Sequence, residues 1–144
     1  MKDFDSIRTM NGTYGEMWFD DDYMAEVEEM KANLGLGYSD VSMVRSLVPG
    51  KKLTKVEPKG SFKLHHVRSN IAKKAADMIA EGKTPSFKII SKLADPDAFG
   101  AERVALYKCK IDSVTLMDWA NGKLTEESYN FTFEKWELLE YINA

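Results

Sequence analysis

Alternation of apolar and polar positions dominates the chain. Gly12 to Asp20 opens with Gly12 and Gly15, runs into Met17-Trp18-Phe19, and stops at Asp20-Asp21-Asp22. That is a short strand followed by an acidic turn. The next stretch carries two patterns at once. Met24, Val27, Met30 and Leu34 fall at helical spacing, with Asp22 to cap and Gly35 to end a helix. Met30, Ala32, Leu34, Leu36 and Tyr38 fall on one face of a strand. Val27 has the opposite parity, so a strand here needs a bulge near Glu28-Glu29. The pattern alone leaves both readings open. Arg45 to Gly60 reads as a long basic loop. Pro49-Gly50, Pro58 and Gly60 interrupt it, and Arg45, Lys51, Lys52, Lys55 and Lys59 face a lone Glu57. A connection that long inside a compact domain is functional or mobile. Ser61 to Val67 alternates again, with Phe62, Leu64 and His66 on one face.

One helix is predicted over 70–81. Ser69 is its N-cap, Ile71, Ala75, Met78 and Ile79 its apolar stripe, and Gly82 its terminating glycine. A strand follows from Ser86 to Ala94, then a loop from Asp95 to Gly100. Glu102–Trp119 and Leu124–Trp136 read as two arms of a hairpin. Asn121-Gly122 between them is the strongest short signal for a type I′ turn. In the second arm Tyr129, Phe131 and Phe133 oppose Ser128, Asn130 and Thr132. The tail from Glu137 to Ala144 is a strand end or a frayed segment. Strands, one helix, then strands predict a mainly β fold. Its form is an antiparallel β-sandwich or small barrel flanked by one α-helix.

Composition narrows the function more than the fold. The 144 residues suit a single domain spanning 1–144, and 44% hydrophobic with 30% charged residues excludes general disorder. The single cysteine excludes a disulfide framework and a four-thiolate zinc site. A net charge of −3 opposes a protein that grips phosphates. No apolar run approaches the roughly 20 residues of a membrane span, so no membrane insertion is expected. The opening Met1-Lys2-Asp3-Phe4-Asp5 lacks the basic start and apolar stretch of a signal peptide. Synthesis in the cytosol is the expectation.

A search for reactive groups finds none that cooperate. His65 and His66 are adjacent on a strand and point to opposite faces, which suits one metal poorly. Cys109 lies on a strand with no base fixed beside it, so a buried apolar role is expected. Gly35-Leu36-Gly37 lacks the third glycine and the lysine of a phosphate loop. Asp20-Asp21-Asp22 lacks the alternating pattern of a calcium loop. The aromatics sit at alternating strand positions and read as core, and the basic residues cluster in one segment rather than lining a groove. The chain is therefore read as no enzyme, with no cofactor and no metal, and with no stable nucleic-acid binding. Charge segregation is the informative feature. Glu16, Asp20, Asp21, Asp22, Glu26, Glu28 and Glu29 make the first quarter acidic, and 45–59 is basic. Complementary patches at different places make head-to-tail contacts that close into rings or continue as filaments.

Three segments carry a family resemblance. Asn11-Gly12-Thr13-Tyr14-Gly15-Glu16-Met17-Trp18-Phe19-Asp20 resembles the opening of the tail tube proteins of contractile-tailed phages and phage-like elements of Gram-positive bacteria. Gly100-Ala101-Glu102-Arg103-Val104-Ala105-Leu106-Tyr107 and Glu126-Glu127-Ser128-Tyr129-Asn130-Phe131-Thr132-Phe133-Glu134 are similar to later segments of the same family. In order and spacing the likeness runs from about Asn11 to Glu137. It departs at Asp20-Asp21-Asp22, where relatives often carry a glycine after the first Asp. The resemblance implies two packed antiparallel sheets and a strand over Tyr23–Met43. It also implies hexameric rings stacked into an inner tube around a lumen, in a phage tail or an R-type bacteriocin. The implied partners are other copies of the chain, the sheath protein, and baseplate and tail terminator components. The expected place is the bacterial cytoplasm, then the released particle. The expected interface sets Arg45, Lys51, Lys52, Leu53, Lys55 and Val56, ordering on docking, against Asp20, Asp21, Asp22, Glu26, Glu28 and Glu29. A small-ligand-binding β-barrel is the alternative. It would need an apolar cavity and a stable monomer.

Overall fold

The computed structural model describes residues 4–143; Met1–Asp3 and Ala144, the ends of the expected domain, lie outside them. Two short 3-10 turns, Ser6–Arg8 and Gly12–Tyr14, lead into β1 (Gly15–Phe19), β2 (Asp22–Tyr23), β3 (Val27–Val41) and β4 (Gly50–His65). Helix α1 (Asn70–Ala80) follows, then β5 (Phe87–Leu93), β6 (Glu102–Ile111), β7 (Glu126–Thr132) and β8 (Lys135–Glu140). The strands form one antiparallel sheet in the order β2-β1-β5-β6-β7-β4-β3, and β8 also pairs with β6. The sheet is not closed into a barrel.

β6 is the corner of this sheet. Most of its length pairs with β5 and β8, and only Lys110 and Ile111 pair with β7. The two halves on either side of the corner share one core. Phe19 of β1 lies 6.2 Å from Phe62 of β4, ring centre to ring centre, and 4.6 Å from Phe87 of β5. Phe62 in turn stacks on Tyr129 at 5.3 Å. Tyr129, Phe131 and Phe133 are all buried, as their shared parity predicts. The sandwich expectation therefore holds, built from a single folded sheet.

Within Tyr23–Met43 no helix forms, and Val27–Val41 is strand. The required bulge is present, as a register shift between Val27 and Glu29. Asp20 and Asp21 both have positive φ, 52° and 69°, between the paired residues Phe19 and Asp22. Positive φ at both central residues is the mark of a type I′ hairpin turn, here without glycine.

The long basic loop over 45–60 is a correction. Gly50 onward is strand, and only 42–49 connects. Two features hide the strand. A second register shift, between Gly37 and Tyr38, pairs Gly37 with Lys55 and Tyr38 with Leu53, so Thr54 breaks the alternation. Pro58 mimics a loop residue, yet β7 pairing stops at Lys59↔Thr132, so Pro58 sits where one flank of β4 is open.

The Asn121-Gly122 hairpin is corrected as well. A turn forms there, with Gly122 at φ 77° and the Lys123 amide donating to the Ala120 carbonyl at 3.3 Å. Asn121 lacks the positive φ that a type I′ turn requires. The flanking arms pair with each other only where Lys110 and Ile111 meet Thr132 and Phe131, because the rest of β6 is already paired with β5 and β8. Residues 112–125 form a loop instead. The tail pairs with β6 as β8.

Helix α1 matches the predicted span within a residue. Ile71 and Ala75 are buried, and Met78 packs against the core. Ile79 is exposed, because eight residues after Ile71 it has rotated about 80° away from the buried stripe. Ser69 makes no side-chain cap; next to it, the side-chain Nδ2 of Asn70 donates to the Asp22 carboxylate at 2.8 Å. Gly82 ends the helix at φ 76°, with Lys83 N–H donating to the Met78 carbonyl and Gly82 N–H to that of Ile79. Those two bonds make a Schellman ending. Met78→Asp is expected to cost about 2–4 kcal/mol by placing a carboxylate against the apolar core. Urea unfolding would measure it, and an unchanged midpoint would contradict this docking of the helix.

Candidate functional site: the β3–β4 hairpin and its surroundings

The hairpin is two-faced. On β3, Met30, Ala32, Leu34, Leu36 and Tyr38 share one face. Their partners on β4 are Phe62, Gly60, Pro58, Val56 and Leu53. Near Phe62 this face is the core. Beyond Gly60 it continues outward as an apolar stripe without cover, with Leu36 52% and Tyr38 57% exposed. The opposite face carries charge. Glu57 bridges Lys55 at 2.7 Å and Lys59 at 3.7 Å. The Lys55 hydrogen bond and the charges of both lysines hold the Glu57 carboxyl below its usual range. Ser39 and Thr54 hydroxyls meet at 3.1 Å on this face.

The structure divides the expected basic set accordingly. Leu53 and Val56 lie on the apolar face, where Lys51 pairs with Asp40 at its end. Lys52 and Lys55 lie on the charged face, across from Ser39 and Gly37. Arg45 sits at the tip, at φ 61°.

The acidic set is largely occupied within the chain. Asp20 accepts from the Lys88 amide at 2.9 Å, and Asp21 pairs with the Lys88 ammonium at 2.9 Å. Arg68 meets Glu26 at 3.0 Å and Asp22 at 3.1 Å, and donates to the Tyr23 carbonyl. Its hydrogen bonds to Glu26 and Asp22 hold the guanidinium pKa above its ordinary value. Glu28 faces His65 at 3.5 Å. Glu29 begins the charged face beside Lys63. Among the described residues no ion pair joins the acidic set to the basic set of the same chain. Arg68 is the residue that sequence reasoning missed. A single arginine before a helix carries no periodic signal, and its partners lie more than 40 positions away.

The histidines diverge as expected. His65 faces Glu28 and Glu126, and His66 Nδ1 lies 3.0 Å from the buried Glu127. Glu28, His65 and Glu126 bring donor atoms within 4.8 Å of one another. Lys63 already occupies that cluster, 3.0 Å from Glu126, so its chemistry is that of an ion-pair network. Cys109 is fully buried, and desolvation pushes its thiol up to about 12. It is expected to stay unmodified by a thiol reagent at pH 8 in the native protein and to react fully in denaturant. Rapid native labelling would contradict its burial. No helix among the described residues is long and apolar enough to cross a membrane.

The phage tail tube protein family matches the chain over residues 2–140. The chain belongs to that family. It is a tail tube subunit, a structural protein and not an enzyme. It is 27% identical over 137 residues to the phage-like element PBSX protein XkdM of Bacillus subtilis (strain 168), covering 94% of this chain and 93% of that one. Its fold is similar to a chain in the anti-feeding prophage cap, with a TM-score of 0.73 at 8% identity, over 97% of both chains. It is also similar to a chain of an extracellular contractile injection system sheath-tube complex in the extended state. There the TM-score is 0.67 at 7% identity, over 92% of this chain and 93% of that one. Its place is the tail of a phage or phage-like particle.

Proposed function

We propose that this tail tube subunit assembles into hexameric rings, stacked around a central lumen, that form the inner tube of a contractile particle. The observation that carries the reading is the apolar face of the β3–β4 hairpin. It begins in the core and runs past it without cover. Such a face destabilises a solitary chain in water and stabilises a contact with the next subunit. Strand edges shared around a ring would also satisfy the open flank of β4 and the edge of β3. The number six comes from the family resemblance. The sheath, baseplate and tail terminator are the further partners in this reading, and the subunit is made in the bacterial cytoplasm.

Negative-stain microscopy and sedimentation of the purified protein test it. Rings and tubes are the expected result. A monomer at every concentration would overturn it and favour the ligand-binding barrel, which the open sheet disfavours.

A tube that passes DNA should not hold it. With a net charge of −3, the protein is expected to show no retention of duplex DNA in a mobility-shift assay at physiological salt. Tight binding that weakens steeply as salt rises would count against this reading of the lumen.

A further inference from the structure

Two exposed surfaces remain beside the stripe, and they lie at opposite ends of the hairpin. One is the tip, 42–49. Leu47 is fully exposed there, next to Val44 and Val48. The Ser46 amide donates to the Met43 carbonyl, closing a turn that holds Arg45 at φ 61°. Glycine or asparagine would fit that conformation with less strain than arginine. The turn therefore displays an arginine at a conformational cost.

The other surface is the loop 112–125. Leu116, Met117, Trp119 and Leu124 are exposed on it, Trp119 at 74%. The His66 amide donates to the Thr125 carbonyl at 2.9 Å, which fixes the loop at the far end of β4. A pocket of about 140 Å³ opens there, lined by His66, Thr115, Leu116, Trp119 and Glu127 among others. A cavity of about 150 Å³ holds a benzene-sized group, so this one has room for an aliphatic side chain. The 16 residues of β4 hold the two surfaces roughly 50 Å apart. One chain cannot bring its own pair together.

We infer that the hairpin tip of one copy docks on the 112–125 loop of the copy stacked on it, with Leu47 entering the pocket and Arg45 lying against Trp119 and Asp118. Charge selects this partner. Among the described residues Arg45 and Lys52 have no acidic partner, and Asp112 and Asp118 have no basic one. Lys123, the one cation of the loop, sits on the turn after Asn121-Gly122. The acidic set from Asp20 to Glu29 is a poorer target, because Arg68 and Lys88 already engage most of it. Arginine over a tryptophan face adds a cation–π contact. A knob at one end and a pocket at the other make a heterologous contact that repeats without closing, the geometry of a filament. The inference rests on the tube reading and names the contact between rings.

Trp119→Ala, Arg45→Asp and Asp118→Arg are compared with the parent at matched concentration by electron microscopy and sedimentation. Circular dichroism confirms each fold. Each variant is expected to form single rings, with tube mass at least tenfold below the parent. The double variant Arg45→Asp/Asp118→Arg is expected to recover tubes, because the exchanged charges meet again. Full-length tubes from folded Trp119→Ala, or no recovery in the double variant, would overturn the docking while leaving the tube reading intact. A parent that never leaves the monomer would overturn both.

Discussion

Gly60→Ala is expected to destabilise the subunit by about 3 kcal/mol or more, a large part of the roughly 5–15 kcal/mol that holds a domain of this kind together. Gly60 lies in β4 between Ala32 of β3 and Phe131 of β7. A Cβ there would stand 2.3 Å from the Phe131 ring and 2.7 Å from the Lys31 carbonyl. Neither neighbour can give way. Phe131 is buried and packs on Phe62 at 6.0 Å and Phe133 at 6.2 Å, so its ring cannot swing without opening the core. The Lys31 carbonyl belongs to the ladder between β3 and β4. The ring covering a glycine in the neighbouring strand is a way of pinning register in a twisted sheet. Chemical denaturation with a fixed m-value would measure the loss. A variant within about 1 kcal/mol of the parent would mean that the ring does not cover Gly60 in solution.

The second large effect concerns assembly rather than folding. Leu36→Asp with Leu53→Asp is expected to leave a folded monomer and to abolish rings and tubes. Both side chains are more than two-fifths exposed in the single chain, so the fold loses little when they change. In an assembled interface each carboxylate would be stripped of water with no partner, which costs several kcal/mol per site. Each 1.4 kcal/mol is a factor of ten in association, and every subunit carries the defect. No assembly is expected at concentrations at least 100-fold above those at which the parent assembles. Normal tubes from the folded variant would show that this stripe stays outside every subunit contact.

The sequence made some elements legible and hid others for identifiable reasons. β7 could be read because one face is fully buried, so Tyr129, Phe131 and Phe133 carry a clean period of two. Helix α1 could be read because Ile71, Ala75 and Gly82 obey helix packing and termination. The bulge in β3 was legible from the parity of Val27 against Met30. The outer half of β4 was not, because both of its faces meet water in the single chain and Thr54 shifts its period. Asn121-Gly122 does turn the chain, but turn chemistry says nothing about whether the arms on either side are paired. Of the expected interface set, Leu53 and Val56 fall on the uncovered apolar face. Lys52 and Lys55 fall on the other, a division that the bulge at Thr54 makes unreadable from parity. The acidic set looked available because its partners, Arg68 and Lys88, are distant in sequence.

The charged face of the hairpin and Pro58 bear on how the subunit is stored before use. A bare strand edge with an apolar face is a template for amyloid-like pairing. Lysines along it and a proline within it are gatekeepers against that fate. Lys51, Lys52 and Lys55 punctuate the stretch of β4 that β7 leaves open. Random edge-to-edge encounters therefore bring like charges together, and only the correct orientation relieves them. Growth from such a pool is expected to be limited by nucleation, with a lag that preformed ends abolish. The cell would hold a stock of dispersed subunits and decide, by supplying a starting platform, when and where polymer begins.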